Sequence, residues 1–159
     1  MKERMNYILC VMIIFLVANP LLAGENIKQG NVKQGFDYIN EARYRDAMNV
    51  FKKSIKAAPE NADAYYGLGI SYLRLGDTEN ITIPQLVNEA VYSFKKALNF
   101  GATYPEIYYF LGLCYLALHD KELAVKQYDV LENLNSDLAD LLLIRIVNYE
   151  MLQEDTRPH

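Results

Sequence analysis

Histidine, cysteine and tryptophan are nearly absent from this chain of 159 residues, which has two His, two Cys and no Trp. The two histidines, His119 and His159, are too few to form a cluster with metal-ligand spacing, and no cysteine pair adds to them. No nucleophile is accompanied by a base, and no glycine-rich loop could cradle a phosphate. The sequence therefore predicts a protein that is not an enzyme and that has no cofactor, no metal and no small-molecule substrate.

Positive charge is also in short supply, because 16 Lys and Arg face 20 Asp and Glu for a net charge of −4. Recognition of nucleic acid needs a basic face for phosphate contacts, so a nucleic-acid partner is excluded. The acidic residues are scattered along the chain rather than clustered, which is typical of a solvated surface.

No apolar run is long enough to span a membrane. The longest runs from Ile8 to Ala18, eleven residues behind Lys2 and Arg4, and Asn19 ends it. A membrane-spanning helix needs about 20 residues, whereas a signal-peptide core is shorter. We predict a signal peptide over residues 1–23, with cleavage after the small residue Ala23 and cleavage after Gly24 as the alternative.

Export places the rest of the chain outside the cytoplasm, and we expect a periplasmic or secreted bacterial protein. The alternative is an uncleaved segment that anchors the chain in the inner membrane with its repeats outside the cytoplasm. Cleavage would leave Cys114 as the only cysteine, so no intramolecular disulfide is possible. Cys114 lies between Leu113 and Tyr115 on a helix predicted to be packed, which predicts a small buried residue rather than a reactive thiol.

One residue pattern occurs three times after the N-terminal segment. It is centred on Gly35, Gly69 and Gly112, and an aromatic residue follows each glycine after three residues. The glycines are 34 and 43 residues apart, and the second interval exceeds the first by nine because the second copy contains an insertion. A unit this short cannot bury its own apolar face, so a stacked helical array is predicted.

The second and third copies resemble the tetratricopeptide repeat, whose pattern is W-x2-L-G-x2-Y followed by A-x3-F and then P. The residues that carry the resemblance are Tyr65, Leu68, Gly69 and Tyr72 with Ala90 and Phe94, and Tyr108, Leu111, Gly112 and Tyr115 with Ala124 and Tyr128. The first copy is weaker but keeps Gly35, Tyr38, Ala47, Phe51 and Pro59. The resemblance implies an all-α, right-handed α-solenoid of three helix pairs, with repeats at about 28–61, 62–104 and 105–138.

Helix bounds follow from the positions of caps and turns. We predict helices over 28–41, 44–57, 62–75, 83–100, 105–118 and 121–134, and a C-terminal capping helix over 137–152 that completes a domain of residues 24–152. Asn61 and Ser136 are predicted N-caps, and Thr82 with Gln85 and Thr103 with Glu106 are predicted capping boxes. Gly76 and Gly101 are predicted to end their helices. Residues 77–81 are predicted to form a loop, and residues 153–159 a flexible tail.

In proteins of this family the first helix of each pair lines a concave groove that binds an extended or helical peptide. Carried onto this chain, the groove residues are Val32, Phe36, Ile39, Tyr66, Ile70, Leu73, Tyr109, Phe110 and Leu113. Some cytosolic members bind the C-terminal carboxylates of a chaperone through Lys, Asn and Arg in this groove. The matching positions here hold Val32, Phe36, Gly67, Glu106 and Phe110, so the resemblance does not carry over that specificity.

The leading interpretation is therefore a non-catalytic adaptor or assembly factor of the bacterial cell envelope that binds a client protein segment in an apolar groove. The alternative is a homo-oligomeric structural scaffold whose grooves are occupied by copies of the same chain. The insertion at residues 77–88 has no counterpart in the other repeats, which makes it a second candidate contact surface.

Overall fold

A computed structural model describes residues 31–79 and 84–155 of the chain. The predicted signal segment, the cap at Thr82 and the end of the tail lie outside these residues. The described residues form seven helices: α1 (31–40), α2 (Tyr44–Ala57), α3 (Ala62–Glu79), α4 (Pro84–Asn99), α5 (Pro105–Ala117), α6 (Lys121–Asn133) and α7 (Leu138–Asp155). The predicted all-α class is confirmed, and no strand occurs within these two ranges.

Successive helices pack on one another along the array. The helices α3 and α4 form one pair and α5 and α6 form the next, while α2 contacts α3, α4 contacts α5, and α7 contacts both α5 and α6. Nearly every contact between elements is therefore between neighbours in the chain, as expected of a solenoid. The predicted start of the first helix, at residue 28, lies outside the described residues. The other bounds agree with the predicted helices to within one residue, except that α3 continues to Glu79 and α7 to Asp155. Within the described ranges, no helix has the length and apolar character needed to cross a membrane.

Two of the repeated glycines, Gly35 and Gly69, are points of close approach between a helix backbone and an aromatic ring, whereas Gly112 lies against the Leu142 side chain. A Cβ built on Gly35 would lie 2.5 Å from Phe51 Cζ, and one on Gly69 would lie 2.6 Å from Phe94 Cε1. The Phe51 and Phe94 side chains are fully buried. Any side chain at these glycines would collide with a ring that has no free space to enter, so glycine is required for packing.

Alanines complete the close contacts on the second helix of each pair. Ala47, Ala90, Ala97 and Ala124 are all fully buried. Small side chains at these positions allow the helices to approach closely, and the neighbouring aromatic and branched residues fill the remaining space. The motif residues of the repeat are thus the residues of the core.

Polar side chains cap three of the helices at their N-termini. Asn61 Oδ1 accepts a hydrogen bond from the Ala64 amide at 3.0 Å, and Ser136 Oγ accepts one from the Leu138 amide at 3.3 Å, so both predicted caps are confirmed. Asp120 Oδ1 accepts from the Leu123 amide in the same way. Each bond satisfies a backbone donor that has no partner within the helix.

The predicted capping box of Thr103 and Glu106 is wrong. The helix α5 begins at Pro105, and the residue before it, Tyr104, makes no side-chain capping bond. Proline at the first helical position has no N–H and already has helical φ, so the helix can start there without a side-chain acceptor.

Four turns between helices pass through a residue with positive φ. These are Ala42 (57°), Gly101 (90°), His119 (61°) and Asn135 (49°). At each, two backbone bonds close the helix end; for example, the Arg43 amide donates to the Tyr38 carbonyl and the Asp120 amide to the Tyr115 carbonyl, both at 2.8 Å. The predicted helix end at Gly101 is confirmed, and the turn at Ala42 lies between the helices predicted over 28–41 and 44–57.

The predicted helix end at Gly76 is wrong, because α3 continues to Glu79 and Gly76 is not among the described residues with positive φ. Glycine inside a helix costs only about 1 kcal/mol relative to alanine, which the packing of a long helix can offset. Residues 77–79 are therefore helical rather than the start of the predicted loop. Part of the nine-residue insertion lengthens α3, and part forms the first turn of α4.

Ala124→Trp should destabilise the array by at least about 3 kcal/mol, because a large ring would have to enter a fully buried helix contact. The measurement is urea denaturation followed by circular dichroism. Lys126→Trp introduces the same ring at an exposed position of the same helix and should change stability by less than about 0.5 kcal/mol. Equal stability of the two variants would show that the packing register of α6 is wrong.

Candidate functional site

A cavity of about 580 Å³ opens between α3 and α5, the first helices of the second and third pairs. Five of the nine predicted groove residues line it: Ile70, Leu73, Tyr109, Phe110 and Leu113. All five are half-buried, so each packs against the core and still presents a surface to the cavity. The volume lies in the range of small-ligand and side-chain pockets, about 300–1,000 Å³.

The other four predicted residues lie outside this cavity. Phe36, Ile39 and Tyr66 are half-buried on α1 and α3, whereas Val32 is 8% exposed and belongs to the core. Val32 therefore supports the packing of α1 rather than presenting a surface. The predicted groove is divided between an aromatic part near α1 and the cavity near α5.

An unbroken chain of ring contacts connects the two parts. The Phe36 ring lies 5.2 Å from Phe51 and 6.2 Å from Tyr66, and Tyr66 lies 6.3 Å from Phe94. Phe94 stacks on Phe110 at 5.6 Å with an interplanar angle of 13°. Edge-to-face and offset contacts at these distances favour a fixed arrangement of rings. The rings that connect the two parts of the groove are therefore held in place by their contacts with the core.

Two walls of the cavity come from residues outside the predicted set. Leu86 and Val87, at the start of α4, line one side, and Arg74 and Arg145 line another. Leu86 and Val87 belong to the insertion, which stays a predicted second contact surface. Arg145 lies on α7, 28 residues beyond the end of α5 at Ala117, and the local sequence pattern gave no signal for it.

Tyr104 is a further residue that sequence reasoning missed. Its ring packs on Tyr66 at 4.9 Å, and its hydroxyl donates a hydrogen bond of 2.8 Å to Asp63 Oδ1. The tyrosine comes from the turn between α4 and α5 and thus ties the third pair to the first turn of α3. A tyrosine directly before a helix-starting proline was the only sequence signal for this contact.

Two ionisable side chains at the groove, Tyr66 and Cys114, are held in their neutral forms. Burial, with smaller contributions from Glu106 and Tyr104, raises the pKa of Tyr66 to about 12. Burial likewise raises the pKa of the Cys114 thiol to about 12. Both groups stay protonated at physiological pH, so Tyr66 can donate a hydrogen bond and Cys114 cannot act as a thiolate. The prediction that Cys114 is a small buried residue is confirmed.

The described residues contain no group of three or more His, Cys, Asp or Glu that could hold a metal ion. His119 Nδ1 lies 3.0 Å from the Tyr149 hydroxyl, in a contact that fastens α7 to the end of α5. What the site offers is an apolar and aromatic surface with two arginines at its edge, which suits recognition of an apolar chain segment.

Family comparisons agree with the repeat pattern. A TPR-repeat profile matches residues 38–76, and a tetratricopeptide-repeat profile matches residues 105–135. The chain therefore contains tetratricopeptide repeats, as the residue pattern predicted. No curated protein matches the sequence significantly.

Solved structures with the same architecture include tetratricopeptide domains. The NMR structure of the first TPR domain of human RPAP3 has a TM-score of 0.66 and 23% identity, with 82% of this chain and 97% of that chain covered. The first TPR of Spaghetti (RPAP3) bound to the HSP90 peptide SRMEEVD has a TM-score of 0.64 and 24% identity, with 76% and 90% covered. At these identities the likeness concerns the fold alone.

Phe110→Ala should destabilise the fold by about 2–3 kcal/mol, because it removes the ring that stacks on Phe94 and leaves a cavity. Tyr109→Ala should cost less than about 1 kcal/mol, since its ring touches the edge of Phe110 and otherwise faces the cavity. Urea denaturation of both variants gives the comparison. A larger cost for Tyr109→Ala would show that Tyr109 is a core residue and not a groove residue.

Proposed function

We propose that this chain, which contains tetratricopeptide repeats, is a non-catalytic protein–protein interaction module of the bacterial cell envelope. Its groove binds an apolar segment of a client protein, and the chain acts as an adaptor or assembly factor. The observation that carries the proposal is the cavity between α3 and α5, whose floor is Ile70, Tyr109 and Leu113. Apolar cavities with a few polar groups at the edge are typical recognition sites for side chains of a partner.

The titratable groups that line the cavity support a binding role. Within the described residues the titratable groups near the cavity are a protonated thiol, tyrosine hydroxyls and two arginines. A general base or nucleophile with a suitable pKa would be needed for catalysis. Function therefore rests on the shape and apolar character of the groove.

The client differs in chemistry from the peptide bound to the Spaghetti domain. That peptide, SRMEEVD, carries three acidic residues. The positions that the resemblance assigns to carboxylate binding hold Val32, Phe36, Gly67, Glu106 and Phe110 here, and Glu106 would repel an acidic tail. A segment with two or three large apolar side chains on one face fits the groove better.

Ile70→Asp and Tyr109→Ala should each weaken client binding at least tenfold, because they place a charge in the cavity or remove an aromatic contact. The client is first identified by a photo-crosslinking residue at Tyr109 in the native envelope. A peptide covering the crosslinked segment is then titrated against the purified chain by fluorescence anisotropy. The peptide SRMEEVD serves as the acidic comparison and should bind at least tenfold more weakly than the client peptide.

The matched controls are a crosslinker at Lys53 and the variant Lys53→Ala. Lys53 is exposed on α2, the second helix of its pair, away from the cavity. Its crosslinker should not capture the same client, and its alanine variant should bind the client peptide as the parent does. Normal binding by both groove variants would show that the groove does not bind the client. The insertion at 77–88 would then be tested as the contact by shortening it.

Residues 1–23 should be absent from the protein recovered from the envelope of its native host. Signal peptidase cleaves after small residues such as Ala23, whereas a retained segment would keep the chain membrane-bound. Intact-mass measurement, with fractionation into periplasm and membrane, decides between the two. A species that begins at Met1 in the membrane fraction would contradict the exported soluble form and favour the anchored alternative.

A further inference from the structure

The helix α7 occupies the place of the first helix of a fourth pair. Tyr149 follows Tyr115 by 34 residues, the same interval that separates Tyr72 from Tyr38. The inner face of α7 packs on α5 and α6 through Ala139, Leu142 and Ile146, which are buried. An ion pair between Lys121 and Glu150 and the contact of His119 with Tyr149 fasten the same face.

The outer face of α7 is apolar and exposed. Its residues are exposed to between 40% and 69%: Leu141, Leu143, Ile144, Val147, Met151 and Leu152. A helix that is apolar on both sides buries only its inner face within the described residues, so its outer face is left for another element to cover. In a complete pair, a second helix would cover this outer face.

A heptad spacing runs along this outer face. Leu141, Ile144, Asn148 and Met151 are separated by three, four and three residues, the spacing of a two-helix seam. Asp140 and Arg145 flank the seam, and both are exposed. Neither makes an ion pair with any residue in the described ranges.

The charges of Asp140 and Arg145 and the side chain of Asn148 fit a second copy of the same helix. When two copies of such a helix pair in parallel, the residue before the first seam position faces the residue five places later on the other copy. Asp140 would then face Arg145 of the partner subunit, and the reciprocal contact would form by symmetry. Asn148 would meet Asn148 of the partner subunit, where a lone buried asparagine fixes register and favours two strands. An antiparallel pair centred on the seam would instead bring Arg145 close to Arg145 of the partner subunit and place Asp140 near the C-terminal end of the other helix.

We propose that two copies of this chain pair in parallel through the outer faces of α7, with Leu141, Ile144, Asn148 and Met151 as the seam. The client cavity is lined chiefly by α3 and α5, and only Arg145 is common to both surfaces. The pairing surface therefore meets the client cavity at Arg145 alone, and a dimer would present two grooves in one particle.

The size of the surface predicts a weak dimer. The 18 residues of α7 span about 27 Å, and a strip about 10 Å wide gives on the order of 300 Å² per copy. A standard stable interface buries about 800 Å² per partner, so this one should dissociate with Kd of roughly 10–100 μM. Association should depend on protein concentration rather than be permanent.

Sedimentation velocity of the full chain from about 1 to 300 μM tests the proposal. The parent should pass from monomer to dimer over this range, and Ile144→Asp should weaken association at least tenfold. Tyr92→Asp is the matched control, because Tyr92 is 55% exposed on α4, as Ile144 is on α7, and it should associate as the parent does. Circular dichroism confirms that each variant is folded. Association through the N-terminal apolar run would survive Ile144→Asp and so be distinguished.

A charge exchange tests the parallel arrangement. Asp140→Arg and Arg145→Asp should each weaken the dimer about fivefold by placing like charges together, and the double variant should return to within twofold of the parent. A monomer at every concentration, a dimer insensitive to Ile144→Asp, or a double variant that does not recover would each overturn the proposal. Client-peptide binding is measured separately, so failure here leaves the function of the groove untouched.

Discussion

The fit of a phenylalanine ring against bare helix backbone is the interaction on which the array depends. Phe51 lies against Gly35 of its own pair and Gly67 of the next, so a single ring fastens two successive repeats. Any side chain at either glycine would occupy the volume of the ring. The stacking of the first two pairs thus depends on the two glycines as much as on the phenylalanine ring between them. Because the contact is closely packed, a larger side chain at either glycine would destabilise it.

The interface between the second and third pairs has the same arrangement except at one position, and the cavity lies beside that position. Phe94 lies against Gly69, but the residue that corresponds to Gly67 in the third pair is Phe110, which stacks on the Phe94 ring. A ring in place of a hydrogen atom prevents α5 from approaching as closely as glycine would allow. The space beside Phe110 is the cavity, walled by Leu86 and Val87 from the inserted turn of α4. One substitution within the repeat and one insertion therefore produce the surface that we assign to binding.

The fold was largely predictable because its determining residues recur at fixed intervals. Helix pairs, the caps at Asn61 and Ser136, and the turn at Gly101 followed from local chemistry. Gly76 failed as a helix end because tertiary packing outweighed the small cost of glycine within a helix, and Thr103 failed as a cap because Pro105 needs no acceptor. The left-handed turns at His119 and Asn135 were not predicted, although His and Asn adopt positive φ more often than most residues and the backbone bonds of the helix ends stabilise that conformation. The same limit applies to Arg145 and Tyr104, which reach the groove only through the stacking of distant helices.

Residues that specify a repeat cannot also specify a partner, because every member of the family needs them for packing. Information about partners must therefore lie where this chain departs from the repeat. Three features outside the motif residues are visible: Phe110 where the second pair has Gly67, the inserted turn that brings Leu86 and Val87 to the cavity, and the helix α7 with apolar residues on both faces. Phe110 and the inserted turn shape the cavity between α3 and α5, and the apolar outer face belongs to α7. A solenoid transmits little between distant repeats because each contacts only its neighbours. The cavity and the outer face of α7 are therefore joined only through the packing of α7 on α5 and through Arg145, which lines the cavity.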